Sequence, residues 1–276
     1  MINLMFITNR PQIAQIAEEA GVNWIFIDME FIGKDIRQGG LDTVKNHHTI
    51  EDIANIKAAL HKAKILVRIN PIHDSLPDYP SSEEEIDKAI NAGADIVMLP
   101  FFKTIKEVKT FINYVGGRAK TCLLLETPEA AAILKDIVEI PGIDMIHIGL
   151  NDMHLALKMK FMFQLLADGS VDKWVGIIKS KGIQFGFGGL ASLDGGAVPG
   201  RMILKEHYRL GSKMVIVSRA FCNTDKITDL DEIRSIFQHG ITEIRNLERE
   251  LANNSYNDFI ENHNEVSKTI FNIINS

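Results

Sequence analysis

The sequence predicts a (β/α)8 barrel with extra C-terminal helices. Three observations carry this reading. The chain contains eight short apolar runs separated by segments with helical periodicity, the alternation of parallel strands joined by crossover helices. Its 276 residues suit a barrel of about 250 residues plus a tail. No G-x-G-x-x-G follows the first run, so the competing arrangement, a doubly wound open sheet, lacks its dinucleotide fingerprint.

The elements follow in order. Leu4–Ile7 reads as the first strand, and Pro11 opens a helix over Gln12–Ala20 that Gly21 closes, since proline suits a first helical turn and glycine the position past the last. Trp24–Ile27 is the second strand and ends in Asp28, Met29 and Glu30. A long loop follows from Phe31 to His48, with the polar run Arg37, Gln38, Gly39, Gly40 and the pair His47, His48. Thr49 caps a helix with Ile50, Ile53, Ile56 and Leu60 on one side and Asp52 in the capping-box position. Ile65–Ile69 is the third strand and contains Arg68. Ser82 with Glu85 starts a helix stopped at Gly93, and Ile96–Leu99 is the fourth strand. Thr104 with Glu107 caps the next helix, which ends near Gly116 and Gly117.

Cys122–Leu125 is the fifth strand, Glu129–Val138 a helix, and Met145–Ile148 the sixth strand. A helix runs from about Asn151 toward Leu166, another spans Asp172–Lys181, and Gln184–Phe187 is strand seven. A glycine-rich loop from Gly188 to Gly200 leads to a helix over Arg201–Leu210 and strand eight, Met214–Val217. The barrel thus occupies residues 1–228. Residues 229–276 form a helical extension, because Leu230, Ile233, Phe237, Ile241, Ile244, Leu247 and Leu251 recur at helical spacing and Tyr256–Ile274 continues in the same way. The barrel does not need this tail, which is expected to pack on a partner subunit.

Composition bounds the function. With 46% hydrophobic and 24% charged residues the chain has a soluble globular profile. A net charge of −6 argues against nucleic-acid binding. No apolar run is long enough for a membrane span, and the start, MINLMFITNRP, lacks the basic region of a signal peptide. The two cysteines, Cys122 and Cys222, lie in apolar strand-like contexts, which points to a reduced, cytoplasmic home.

Residues just past the C-terminal ends of barrel strands face the active site. That rule selects Asp28, Glu30, Arg68, Glu126, Asp152 and the Gly188–Gly189 backbone. Glu126 and Asp152 end consecutive strands, and two carboxylates held there can grip a hard divalent cation while leaving positions for a substrate oxygen. Each alone can also stabilise a helix N-terminus. Arg68 within VRIN needs a partner if buried; it either pairs with a barrel carboxylate or holds an anionic substrate with its two-pronged fork. An arginine, acidic ligands and a metal suit a small 2-oxo acid whose enolate needs stabilising. Three other features have plainer readings. Lys103 is a loop lysine before it is a Schiff-base nucleophile, Gly195–Gly196 serve a turn before they cradle a phosphate, and His147 within MIHIG is a barrel-core histidine.

Five segments together resemble the HpcH/HpaI aldolase and citrate-lyase β family. They are AGVNWIFIDME (Ala20–Glu30), VRIN (Val67–Asn70), AGADIVMLP (Ala92–Pro100), LLLETPEA (Leu123–Ala130) and GIDMIHIGLNDM (Gly142–Met153). The resemblance implies a class II aldolase, a metal-dependent carbon–carbon lyase acting on a 2-oxo acid of pyruvate type together with an aldehyde. It implies that Glu126 and Asp152 bind Mg2+, with Mn2+ or Co2+ as alternatives. It also implies that Arg68 contacts the keto-acid oxygen, that amides near Leu150, Asn151 and Asp152 hold the carboxylate, and that the protein is a homo-oligomer exchanging C-terminal helices. The chain departs from the family in one place: Phe31 stands where a histidine usually follows the Glu of the second-strand motif. His47 or His48 can supply an imidazole instead, and Asp28 and Glu30 are the other acid–base candidates. A citrate-lyase-like enzyme acting on an acyl thioester, and a barrel that binds an oxo acid or sugar acid without turnover, are the alternatives.

Overall fold

Side chains alternate across a strand, so an apolar run in a closed sheet fills two compartments at once. Residues such as Leu4, Ile25, Val67, Leu123 and Ile146 point outward and pack under helices. Their neighbours Met5, Trp24, Phe26, Leu66, Ile96, Met98, Cys122, Leu124, Met145 and Met214 form a separate apolar plug inside the barrel. The computed structural model that shows this describes residues 1–33 and 48–276; His47 and the run Arg37–Gly40 lie outside the described residues.

The strands are β1 (Asn3–Ile7), β2 (Trp24–Asp28), β3 (Lys64–Arg68), β4 (Ile96–Leu99), β5 (Lys120–Leu125), β6 (Met145–Ile148), β7 (Gln184–Leu190) and β8 (Met214–Val217). All are parallel, each pairs with its neighbour in sequence, and β8 closes onto β1. The expected (β/α)8 barrel is therefore the observed one. Following the inward positions up each strand, Phe26 gives way to Asp28, Leu66 to Arg68, Leu124 to Glu126 and Met145 to His147. The barrel interior turns from apolar to polar at its C-terminal end.

The helices of the barrel are α1 (Pro11–Ala20), α2 (Ile50–Ala59), α3 (Ser82–Ala92), α4 (Ile105–Val115), α5 (Pro128–Ala132), α6 (Leu134–Ile137), α7 (Leu150–Ala156), α8 (Gln164–Ala167), α9 (Ser170–Lys179) and α10 (Gly200–Leu210). The capping boxes expected at Thr49 and Thr104 are both formed. At α3 the cap is Ser81, one residue earlier than expected. Ser82 is buried and its hydroxyl accepts from the His73 amide at 2.9 Å, while Glu85 serves the strand ends instead of the cap. The helix expected over Glu129–Val138 is two short helices meeting at Ile133, whose ψ of 14° leaves the helical range.

The helix expected from Asn151 to Leu166 also breaks. After Ala156, Lys158 takes a left-handed φ of 56°. The Lys158 amide donates to Leu155 O and the Met159 amide to His154 O. This is the helix-ending motif that glycine usually provides, here with a lysine. Gly188 and Gly189, expected in a loop, lie within β7, where the pairing with β8 shifts register.

The extension forms α11 (Leu230–Leu251) and α12 (Tyr256–Asn275). The apolar stripe of α11 is buried at Ile233, Phe237, Ile241, Ile244, Leu247 and Leu251, and the helix packs on α1 of the same chain. Helix α12 packs on α10. There the fully buried Glu206 accepts from Asn262 at 3.0 Å, from Arg209 at 2.9 Å and lies 2.9 Å from His263 Nδ1. Among the described residues no helix is long and apolar enough to cross a membrane.

Candidate active site

The parallel register sets Asp28 beside Arg68 on adjacent strands, so both project inward at the same height. Arg68 Nε donates to Asp28 Oδ1 at 2.7 Å and Nη2 to Oδ2 at 2.8 Å, a two-pronged pair of the strong kind. Its Nη1 lies 3.3 Å from Glu30 Oε2, and the guanidinium sits 5.6 Å from the centre of the Phe26 ring, within cation–π range. Burial works against the Arg68 charge, but Asp28, Glu30 and then Glu126 offset it, and the guanidinium is held charged well above its ordinary range. Asp28 and Glu30 are buried, whereas the Arg68 side chain keeps 17% exposure. A guanidinium has five N–H donors, so three such contacts leave donors for the open side.

That side is a cavity of about 480 Å³ at the C-terminal mouth of the barrel, lined by Asp28, His48, Arg68, Glu126, His147 and Asp152 among others. Leu150, Asn151, Gly188 and Gly189 also line it. Glu126 is buried, and its Oε1 accepts the Phe101 amide at 2.9 Å. Phe101 adopts a left-handed φ of 48°, a conformation rare for a bulky residue. Gly149 faces the same carboxylate: a Cβ there would lie 2.8 Å from Glu126 Cβ and 3.0 Å from Oε2. Only glycine fits beside Glu126. Asp152 is half-buried in the first turn of α7, and Asn151 Nδ2 donates to its Oδ1 at 3.3 Å. Among the described residues no three or more His, Cys, Asp or Glu side chains form a metal cluster. Mg2+ takes one or two carboxylates and completes its shell with water and substrate oxygens, so Glu126 and Asp152 fit such an ion.

His48 lines the cavity, and its Nδ1 lies 2.9 Å from the Asp28 amide. A backbone N–H can only donate, so Nδ1 accepts and the neutral ring carries its proton on Nε2. Phe31 stands outside the cavity, its ring edge-on to Tyr79 at 4.8 Å. The chain just after β2 is tied down by Asn70, whose Oδ1 accepts the amides of Phe31 and Ile32, both at 2.9 Å. Asn70 in turn donates to Glu85 at 2.9 Å. Burial pushes the Glu85 carboxyl up, against hydrogen bonds from Asn70 and Tyr79 that lower it. Lys103 pairs with Glu129 at 2.9 Å, and Gly195 and Gly196 shape a turn; neither feature lines the cavity.

Two histidines are buried uncharged. His147 Nε2 lies 3.2 Å from Gly188 O, and His207 stacks on Phe187 at 3.8 Å. Burial lowers His147 to about 4, with Arg68 adding to it. Burial likewise lowers His207 to about 3. An unfolded histidine titrates near 6.5, so the unfolded chain takes up these protons first. The stability both groups contribute is full above about pH 6.5 and is lost as pH falls toward about 4 and 3. For His147 alone this is on the order of 3 kcal/mol. Urea unfolding at pH 7 and pH 4.5 should show the loss, and His207→Phe, which keeps a ring against Phe187, should reduce it. An equal loss in wild type and variant would assign the acid sensitivity to other groups.

The sequence profile of the HpcH/HpaI aldolase/citrate lyase family matches residues 3–163, more than half of the chain. Among curated proteins no relative matches significantly. Solved structures share the fold at low identity. An HpcH/HpaI aldolase/citrate lyase family protein from Burkholderia cenocepacia J2315 superposes with a TM-score of 0.60 at 15% identity, covering 84% of this chain and 95% of that one. An HpcH/HpaI aldolase from Desulfitobacterium hafniense DCB-2 gives 0.60 at 14%, covering 84% and 93%. The citrate synthase SbnG gives 0.60 at 15%, covering 85% and 93%.

Proposed function

Because the chain belongs to the HpcH/HpaI aldolase/citrate lyase family, we propose that it is a divalent-metal-dependent carbon–carbon lyase acting on a 2-oxo acid of pyruvate type. The observation that supports this most is the Arg68 guanidinium, fixed by Asp28 and Glu30 beside Glu126 at the floor of the cavity. Arg68 keeps donors for the oxygen of a 2-oxo acid, and that oxygen gains charge as the enolate forms. Donors fixed in advance toward such charge stabilise the transition state more than the ground state. Glu126 and Asp152 would hold a Mg2+ or Mn2+ ion, which would supply further polarisation of the oxo group. Asp28 and Glu30 act here as positioning residues for Arg68. The first-turn amides of α7 and the Gly188–Gly189 backbone border the place for the substrate carboxylate. His48, with its proton on Nε2, suits a hydrogen-bond donor to an oxygen that gains charge. Homo-oligomer formation through residues 229–276 belongs to the same reading.

In the cleavage direction, the C3–C4 bond of a 4-hydroxy-2-oxo acid breaks. The 4-hydroxyl proton is removed, C4 leaves as an aldehyde carbon, and the electron pair passes to the enolate, which takes a proton at C3. Exchange of the methyl protons of pyruvate with solvent deuterium isolates the enolate half of this sequence. Wild-type protein with Mg2+ or Mn2+ should catalyse it, and His48→Asn should slow it by about a hundredfold, the usual cost of losing one donor to an oxygen that gains charge. Turnover is then followed with pyruvate plus aldehydes, and with acetyl thioesters, because one structural neighbour is described as a citrate synthase. Bound pyruvate with neither exchange nor turnover would favour a binding barrel.

A further inference from the structure

Strand β7 is the irregular wall of the cavity, and a histidine meets it on each face. Its run Gly186, Phe187, Gly188, Gly189 carries the register shift against β8. At Gly186 the two strands are so close that a Cβ would fall 2.1 Å from Met214 O. Gly188 takes a left-handed φ of 53°, and a Cβ on it would lie 2.9 Å from Leu150 Cδ1, in the first turn of α7. Two parts of the cavity wall thus abut: the β7 irregularity and the helix start that carries Asn151 and Asp152. Outside the barrel, His207 of α10 stacks on Phe187 at 3.8 Å. Inside, His147 of β6 stands in the cavity lining with Phe26, Met98 and Leu124, and its Nε2 lies 3.2 Å from Gly188 O. A carbonyl only accepts, so Nε2 carries the proton and Nδ1 keeps a lone pair.

That second nitrogen bears on why an imidazole stands here. Among the described residues, the buried side-chain polar atoms with no hydrogen-bond partner are His147 Nδ1 and His207 Nε2. A buried polar atom without a partner costs stability. An apolar side chain at position 147 would extend the plug of Met98, Leu124 and Met145 without that cost. What it would lack is an N–H for Gly188 O.

We infer that His147 is a positioning residue for the bound 2-oxo acid: its Nε2–H fixes the Gly188 carbonyl, and through it the spacing between the β7 irregularity and the first turn of α7. The inference rests on the lyase reading for what fills the cavity. His147 needs no contact with the substrate to act in this way. It lies two residues before Gly149, which packs against Glu126, so one strand carries both the link to β7 and the turn leading to Asp152. Glycine is the residue most free to change conformation, so Gly188 relaxes when the link is cut. A wall misplaced by about 1 Å costs about a hundredfold in rate.

Oxalate affinity by calorimetry, exchange of pyruvate methyl protons and thermal melting at pH 7 test this on wild type, His147→Phe, His147→Gln and His207→Phe. His147→Phe keeps a ring and removes the N–H. It should weaken oxalate by roughly tenfold and slow exchange by up to about a hundredfold, yet melt no lower than wild type, because the unmatched Nδ1 is gone as well. His147→Gln, whose amide can donate to Gly188 O, should recover most of the affinity and rate. His207→Phe deletes the other unmatched nitrogen, leaves the Gly188 link intact and should bind oxalate as wild type does. If His147→Phe does not fold, the smaller His147→Leu takes its place. Wild-type oxalate affinity in the folded variant would overturn the inference. So would a loss that glutamine does not restore, or an equal loss in His207→Phe, which would assign the effect to the packing of β7. Oxalate binding that depends on His147 in a protein that exchanges no pyruvate protons would remove the lyase reading and keep the positioning role. Exchange and oxalate affinity unchanged in His147→Phe would do the reverse, and a wild type that neither binds oxalate nor exchanges protons would overturn both.

Discussion

Glu126→Gln should abolish Mg2+ and Mn2+ binding and lower metal-dependent proton exchange of pyruvate by at least about a thousandfold, roughly 4 kcal/mol of transition-state stabilisation. Asp152→Asn should act in the same direction. The reason lies in the carboxylate surroundings. Glu126 is buried against Gly149 and accepts the Phe101 amide. A glutamine of the same shape keeps an oxygen for that amide and needs no extra room, so the barrel should fold and melt as wild type does. What the substitution removes is the negative charge, and a hard cation needs that charge to give up part of its water shell. Calorimetry with Mn2+ and thermal melting on the same samples separate the two effects. Wild-type Mn2+ affinity in both variants would show that these carboxylates hold no metal, and Glu126 would revert to a role in fixing the strand-four turn.

Much of this site is readable from strand periodicity. Once Phe26, Leu66 and Leu124 are placed inside the barrel, Asp28, Arg68 and Glu126 must follow them inward two residues later, at the end where barrel chemistry occurs. What periodicity does not carry is whom Arg68 holds. The choice between a barrel carboxylate and a substrate depends on cross-strand register, and the Asp28–Arg68 pairing shows that the carboxylate is present while the open donors remain. Other features leave no local signal. The end of α7 is made by Lys158 in a left-handed conformation instead of glycine, so the pattern runs on toward Leu166 without a stop. Phe101 turns its amide onto Glu126 through a backbone conformation that its side chain disfavours, set by tertiary contacts. Ser81 and Ser82 are both competent caps, and the buried demand of His73 for Ser82 decides between them.

Arg68→Lys should weaken oxalate binding by at least about tenfold and also lower stability, whereas Asp28→Asn should lower stability and spare oxalate. Oxalate is a planar dianion that mimics the enolate of pyruvate. A lysine at this position keeps the charge but offers an ammonium in place of the fork, so it cannot hold both oxygens of Asp28 and a ligand oxygen together. Asp28 is fully buried, and an incompletely satisfied carboxylate there costs about 1–3 kcal/mol. Asp28→Asn reverses the logic. The amide oxygen still accepts one guanidinium hydrogen bond, the buried charge pair is lost, and Glu30 remains 3.3 Å from Nη1 to hold the cation. Breaking a buried pair from one side costs about 3–5 kcal/mol in general, so the melting temperature should drop clearly. The released guanidinium, however, has more donors to offer an anionic ligand, and oxalate affinity should hold or rise. The two variants therefore separate holding the fold from holding the substrate, which a single alanine substitution would confuse. If Arg68→Lys bound oxalate as tightly as wild type while losing stability, Arg68 would be a purely structural partner of Asp28 and Glu30, and the enolate would need another donor on the cavity wall.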